Sequence, residues 1–498
     1  MKNIPPTILL TINVLLFSIN SHAQSLDLKD SLQTEQSLKK GILNNVKKME
    51  GDTAFMPYKE AAIEKTLMSG LTIKEGHIIS ENMLQSMGST TFTLSNGIKV
   101  HYKYTNKNKN DVQLKAISYG GLSLVKDEDL PSAQVLGDVM AVSGLGDYSA
   151  ADLTKKLEGK KASTQIRLSN ITEDISGTST TKDVETLLQM IHLRFVKPRF
   201  DVDAYQVFMG NLNNVMGRSQ IINDRIKDSM TVALYGNNHP RKRLFNNDFL
   251  KDVSFDKIKA VYKERFKNVA DFEFFIVGDI QKGRLRPLLE KYMASIPTSH
   301  VKETWQDHSV PWLQDTIDKE ILLATAPPKS IVKMGYQNVM PYSLKNEFIA
   351  RVLGEILQLR FSETLQKETG ESHHASVKVN VSKRPIEQVS LLLAFDCDPN
   401  QTEQLTTMVL QEIEKVIKGD IVQTDLDQTK ANYLKERKKQ KDNNSYDMRL
   451  LINYFREGYH MNDPKKFEDL LKTITTKDVE VFTKTFIKDV QFYKVVFK

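Results

Sequence analysis

Residues 254–266 read Ser254-Phe-Asp-Lys-Ile-Lys-Ala-Val-Tyr-Lys-Glu-Arg-Phe266, and residues 271–277 read Asp271-Phe-Glu-Phe-Phe-Ile-Val277. In the first stretch Phe255, Ile258, Val261 and Tyr262 recur at helical spacing, which predicts an amphipathic helix. The second is a short aromatic run of the kind that forms a buried strand. The same order closes the chain. Thr475-Thr-Lys-Asp-Val-Glu-Val-Phe-Thr-Lys-Thr-Phe486 is followed by Val490-Gln-Phe-Tyr-Lys-Val-Val-Phe497. Upstream, residues 181–216 and 402–438 each read as a helix, a short break and a longer helix. One matched pair is common, but a whole order repeating after roughly 220 residues is not. The reading is α+β: two repeated domains of one fold, over residues 91–300 and 312–498. The boundary falls in the proline-, serine- and histidine-bearing stretch 297–311.

The first domain opens with Thr91-Phe-Thr-Leu94, Ser95-Asn-Gly97 and Ile98-Lys-Val-His-Tyr102. Two alternating strands around Asn-Gly are a strong hairpin signal. Another alternating run, 111–119, ends in Gly120-Gly121. Helices are expected over 133–142 and 151–157, closed by Gly144 and Gly159. Strands at 163–168 and 171–177 and helices at 183–195, 203–216 and 225–234 follow. In the second domain a strand pair is expected within 321–335 and a helix over 344–367. Strands over 375–381 and 389–395 and helices over 402–417 and 423–440 complete it.

The N-terminus carries a different message. Lys2 precedes an apolar run over 8–19, and Ser21-His-Ala23 offers small residues for signal peptidase. Residues 1–23 therefore read as a cleaved signal peptide, and the protein as exported, periplasmic or secreted. The run is short for a membrane anchor, and no later segment is apolar enough to cross a bilayer. Residues 24–90 are polar and read as a leader or linker.

Composition sets limits. The chain has 498 residues, 40% hydrophobic and 26% charged, which excludes wholesale disorder. The net charge of +7 is spread thinly. No dense basic stripe with interleaved aromatics points to nucleic acid. A single cysteine, Cys397, can form neither an intramolecular disulfide nor a cysteine-rich zinc site. At a predicted strand end it reads as a small buried side chain.

Several segments resemble one family. Thr93-Leu-Ser-Asn-Gly-Ile-Lys-Val100 is similar to the opening strand of a half of the pitrilysin/insulinase zinc metallopeptidases. Gly120-Gly-Leu-Ser-Leu124, Ser143-Gly-Leu-Gly146, Ala151-Asp-Leu-Thr154 and Thr181-Lys-Asp-Val-Glu-Thr-Leu-Leu188 resemble one branch of it. So do Pro198-Arg-Phe-Asp201 and Gly278-Asp279. That branch is the bacterial zinc proteases of the pyrroloquinoline-quinone-linked type, and the resemblance is to their C-terminal, non-catalytic half. Lys74-Glu-Gly-His-Ile-Ile-Ser-Glu81 resembles the linker between the halves. The resemblance covers about residues 71–498. It implies mostly antiparallel sheets, each with helices on one face, as in processing-peptidase-like halves. It also implies two halves enclosing a chamber, with catalysis in the N-terminal half. There His-x-x-Glu-His on one helix holds zinc, and its Glu activates the bound water.

None of the ten histidines here begins His-x-x-Glu-His or His-Glu-x-x-His. By the implied duplication, Gln134, Gly137 and Asp138 stand where His, Glu and His would be. An amide, no side chain and one carboxylate make neither a tight zinc site nor a general base. No metal is therefore expected on this chain, and no catalytic residue is assigned. His373-His374, adjacent on a strand, would face opposite ways. His77 and Glu81 form one pair at helical spacing and read as surface features. The family's C-terminal half also lends an Arg and a Tyr, seven residues apart, to bind substrate backbone. By resemblance Gln366 and His373 occupy those positions. Both can still donate hydrogen bonds, but the bidentate cation is lost.

These residues lead to the expectation of a non-catalytic half. It would complete a peptide-binding chamber with a separately encoded, zinc-bearing partner. The alternative is a non-enzymatic peptide- or protein-binding or structural protein on the same fold, including a homodimer.

Overall fold

The structure is a computed structural model that describes residues 67–218, 222–299, 301–323, 328–369, 375–458 and 464–498. The signal-peptide reading of residues 1–23 and the first part of the leader lie outside the described residues. The chain divides into two compact units, each with its own sheet.

The first unit holds strands β1 (Ile78–Leu84), β2 (Ser89–Leu94), β3 (Lys99–Tyr104), β4 (Val112–Tyr119), β5 (Ala162–Leu168), β6 (Thr172–Ser179) and β7 (Glu273–Gly278). Their order is β1-β2-β3-β7-β4-β6-β5, and only β3 and β7 are parallel. The helices before the midpoint are α1 (Leu130–Val142), α2 (Ala150–Lys156), α3 (Val184–Val196), α4 (Val202–Arg218) and α5 (Ile222–Tyr235). After it come α6 (Phe255–Arg265) and α7 (Lys282–Leu288). The predicted hairpin is β2–β3. Gly97 has φ 87°, a left-handed value that an Asn-Gly turn supplies without strain. Asn96 Nδ2 donates to the carbonyls of Met293 and Ile296, both at 2.9 Å. Phe92, Leu94, Val100, Leu114, Ile175, Phe274 and Ile276 form the core with Leu136, Val139 and Met140 of α1.

The sheet starts before the hairpin. Residues 24–90 read as leader, yet Ile78–Leu84 is already strand, paired antiparallel to β2 with Glu81 opposite Phe92. The polar Ser80, Glu81 and Asn82 hid its alternation. This also corrects the helical spacing of His77 and Glu81. On extended chain four residues span about 13 Å. The His77 N–H donates to Ser95 Oγ at 3.2 Å. Glu81 pairs instead with Lys282 and Arg286.

The second unit holds β8 (Thr316–Ile321), β9 (Ser330–Val339), β10 (Ser376–Ser382), β11 (Gln388–Cys397) and β12 (Gln491–Phe497), in the order β10-β11-β9-β12-β8. The helices in the second half of the sequence are α8 (Leu344–Thr369), α9 (Thr402–Ile417), α10 (Gln423–Gln440), α11 (Asn444–Glu457), α12 (Pro464–Thr473) and α13 (Thr476–Ile487). The strand pair expected within 321–335 is not a pair. β12 lies between β8 and β9, parallel to the first and antiparallel to the second. Read from β3 or from β8, the two sheets have one order. In both, the last strand of the repeat enters between the first two, and β1–β2 is an addition to the first unit.

Two helices group across the sequence boundary. Ile226, Ala233 and Leu234 of α5 share a core with Trp312, Ile317, Leu323, Tyr493, Val495 and Phe497 of the second unit. Reciprocally, residues 443–451, the beginning of α11, group with the first unit. Asn444 Nδ2 donates to Asp111 Oδ2 at 2.9 Å. Asp447, buried, is held by Lys103 at 3.0 Å and Lys107 at 2.6 Å. Removing a buried carboxylate that satisfies two lysines is costly. Asp447→Ala should lower stability by roughly 1–3 kcal/mol in urea unfolding. Asp248→Ala, which breaks an exposed pair with Lys251, should change it by less than about 0.5 kcal/mol.

Candidate functional site

Helix α1 carries Gln134, Gly137 and Asp138, the three positions singled out by sequence. It begins at Leu130-Pro131, a proline in the first turn where its missing N–H costs nothing. Leu136, Val139 and Met140 anchor its inner face, and the helix lies against β5 and α6. Gln134 and Asp138, four residues apart, share one face.

Gly137 decides what this helix can hold. A Cβ built there would lie 2.9 Å from the carbonyl oxygen of Ile166 on β5. The helix approaches the strand closely because position 137 has no side chain. A larger residue would have to push against backbone. The position where the resemblance would put a glutamate is therefore closed as well as empty. Asp138 is half-buried, and desolvation raises its carboxyl to about 7. An amide, a closed glycine and one carboxylate that resists ionisation do not fit a zinc ion. Among the described residues, no group of three or more His, Cys, Asp and Glu could hold a metal.

The remaining predicted positions are described only in part. Gln366 falls in the last turns of α8, and its side chain lies outside the described residues, as do His373 and His374. Cys397 is buried at the end of β11, as expected, with Sγ 3.7 Å from Thr402 Oγ1.

Sequence reading missed two buried arginines. Arg194 of α3 donates through Nε and Nη2 to Oγ1 and the carbonyl of Thr164 on β5, at 3.2 and 3.3 Å. β5 is thus gripped twice, by Arg194 at Thr164 and by Gly137 at Ile166. Arg265 of α6 lies 3.5 Å from the fully buried Glu173 and 3.1 Å from Glu303. Glu173 also accepts from Gly121 N–H at 2.8 Å and Ser118 Oγ at 2.9 Å. Burial raises its carboxyl to about 7 against those partners. Gly121, at φ 57°, leaves no room for a Cβ beside Ser169 and Thr172, so the carboxylate serves a tight turn. The available signal was Glu173 alternating in register with the inward Ile175.

Residues 252–433 match the profile of the peptidase M16 inactive domain. The chain carries that domain and is a homologue of the PqqL zinc proteases. It is 22% identical over 70% of its length to the Haemophilus influenzae protein named "Probable zinc protease PqqL", covering 37% of it. It is 24% identical over 78% of its length to the Arabidopsis thaliana "Zinc protease PQQL-like", covering 39% of it. The chain thus spans about two-fifths of these curated relatives. Among solved structures, the periplasmic protease PqqL from Escherichia coli aligns over 95% of this chain and 55% of its own, with TM-score 0.72 and 17% identity. A peptidase M16 inactive domain from Pseudomonas fluorescens aligns over 82% of this chain and 97% of its own, with TM-score 0.66 and 13% identity.

Two outcomes follow from α1. The triple variant Gln134→His, Gly137→Glu, Asp138→His should bind no stoichiometric zinc in calorimetry. Gly137→Glu alone should lose roughly 1–3 kcal/mol of stability. Full zinc loading with unchanged stability would refute the closed-helix account. The second concerns pH. A carboxyl raised to about 7 on folding contributes stability below its ordinary value of 3.8, lost as pH rises through 7. Asp138→Asn should therefore match the parent near pH 4 and exceed it at pH 8 by up to about 4 kcal/mol in urea unfolding.

Proposed function

We propose that this chain is an exported, non-catalytic half of a two-part M16-type peptidase. It supplies walls of an enclosed peptide-binding chamber, and a separately encoded partner brings the zinc. The observation that carries the reading is the approach of Gly137 to the Ile166 carbonyl, which leaves no place for a general base. The match of residues 252–433 to an inactive domain supports it. The signal-like N-terminus and the periplasmic description of the Escherichia coli relative support export. No described helix is long and apolar enough to cross a membrane. In this reading Gln366 and His373 offer hydrogen bonds to a peptide backbone in place of the family's Arg and Tyr.

The test is reconstitution. The pure chain should carry no stoichiometric zinc and leave a quenched fluorescent peptide intact. Mixed with a zinc-bearing half encoded in the same genome, it should sediment as a one-to-one complex with chelator-sensitive hydrolysis. Stoichiometric zinc and hydrolysis by the solitary chain would contradict the reading. Saturable peptide binding by the chain alone, with no complex formed, would favour the non-enzymatic alternative.

A further inference from the structure

Over the whole chain the net charge is thin, but one helix end concentrates it. Residues 430–441, the second half of α10 and the residue after it, read Lys430-Ala-Asn-Tyr-Leu-Lys-Glu-Arg-Lys-Lys-Gln-Lys441. Six cations stand there against one anion, Glu436, and Asp442 follows beyond the helix.

One side of the helix is committed to the fold. Leu426 and Thr429 are buried. Tyr433 packs edge-on against Phe348 of α8 at 5.2 Å, with the Arg351 guanidinium 4.8 Å from its ring. Lys430 Nζ donates to the Ile474 carbonyl at 2.6 Å. The other side is left to lysines. Lys435, Lys438 and Lys439 stand three and four residues apart, so they share one face, and all three are exposed. Lys439 reaches back to Glu436 at 2.8 Å. Lys435 and Lys438 have no acidic partner among the described residues. Leu434, four residues before Lys438, is 36% exposed at the edge of this face.

Helix stability does not call for this arrangement. Cations in the last turn, here Arg437, Lys438 and Lys439, suit the carbonyl end of a helix. Lys435 lies before that turn, and like charges at i,i+3 and i,i+4 repel. An external anion relieves that repulsion, and three kinds of anion differ in what they require. Interfaces with a folded partner are enriched in aromatics and arginine and depleted of lysine. Nucleic acid is held by stacking aromatics or by side chains that enter a groove, and the one aromatic here is turned inward. Phospholipid headgroups require neither, because laterally mobile phosphates come to lysines that act as point charges. Leu434 adds an apolar side chain at the level where headgroup meets acyl chain.

We propose that the exposed face of α10 formed by Lys435, Lys438 and Lys439, with Leu434 at its edge, docks the chain on a bilayer that carries anionic phospholipid. The contact is peripheral, made at the headgroups. It is independent of whether a zinc-bearing partner exists.

The experiment is sedimentation of the full chain with vesicles of phosphatidylglycerol and phosphatidylcholine in equal parts, and with vesicles of phosphatidylcholine alone. The patch variant is Lys435→Gln, Lys438→Gln, Lys439→Gln. A charge-matched control removes three exposed lysines elsewhere, Lys126→Gln, Lys263→Gln, Lys267→Gln. Parent and control should bind the anionic vesicles alike, bind phosphatidylcholine far less, and weaken together as salt is raised. The patch variant should bind the anionic vesicles at least about thirtyfold more weakly, the scale of three lysines near such a surface. The apolar run 8–19 is present in all three proteins and does not separate them. The proposal is overturned if the parent shows no preference for the anionic vesicles, or if the patch variant binds them as the control does. It is also overturned if a DNA duplex binds the parent more tightly than the vesicles do at the same salt and loses that binding in the patch variant. Circular dichroism checks that the three proteins fold alike. Should the patch variant lose helix, Lys435→Gln and Lys438→Gln are measured singly, each required to weaken binding at least about threefold.

Discussion

Helix α1 comes so near to β5 that only glycine fits at position 137, and the functional account rests on that approach. The inner face of the helix is fixed by Leu136, Val139 and Met140 in the core. Its distance from the strand is then set by whatever stands at 137, and a Cβ would already be 2.9 Å from a backbone oxygen. Arg194 grips the same strand at Thr164, one residue pair away. Helix and strand together make a packed wall at position 137, which has no room for a side chain.

Each unit is organised by one further constraint. Its last strand enters between the first two, β7 between β3 and β4, and β12 between β8 and β9. The strand contributes parallel pairing on one side and antiparallel pairing on the other, so the sheet is incomplete until the final helix and strand have folded. This explains why the repeat is clearest in those segments. They must be apolar on both faces, as Phe274, Phe275, Ile276 and Val277 are, all of them buried. In the second unit Tyr493 covers Gly335, its neighbour in register, with its ring.

Much of this was legible in the sequence. Asn96-Gly97 marked the hairpin, and helical spacing marked α3, α9, α10 and α13 within a residue, and α1 with its start placed three residues late. The failures have physical causes. β1 carries Ser80, Glu81 and Asn82, whose polarity concealed a period of two. The separation of β8 from β9 is a long-range pairing that no local pattern encodes. Helices α5 and α11 group with the opposite repeat, and an apolar face does not name the sheet that covers it. At the candidate site the resemblance implied that 134, 137 and 138 lack the groups of a zinc motif. It did not reveal that the space at 137 is filled by Ile166, because a glycine within a helix looks the same whether it faces solvent or a carbonyl. Glu173 and Arg265 stayed hidden because single charged residues on amphipathic elements are ordinarily solvated.

The likeness to PqqL zinc proteases covers about two-fifths of the curated relatives. The most direct measurement is an anomalous difference map at the zinc absorption edge, from crystals of the chain grown with excess zinc. The account predicts the Gly137 main chain against the Ile166 carbonyl and no peak within bonding distance of Gln134 or Asp138. A zinc peak bound by Asp138, with α1 displaced from β5, would contradict it.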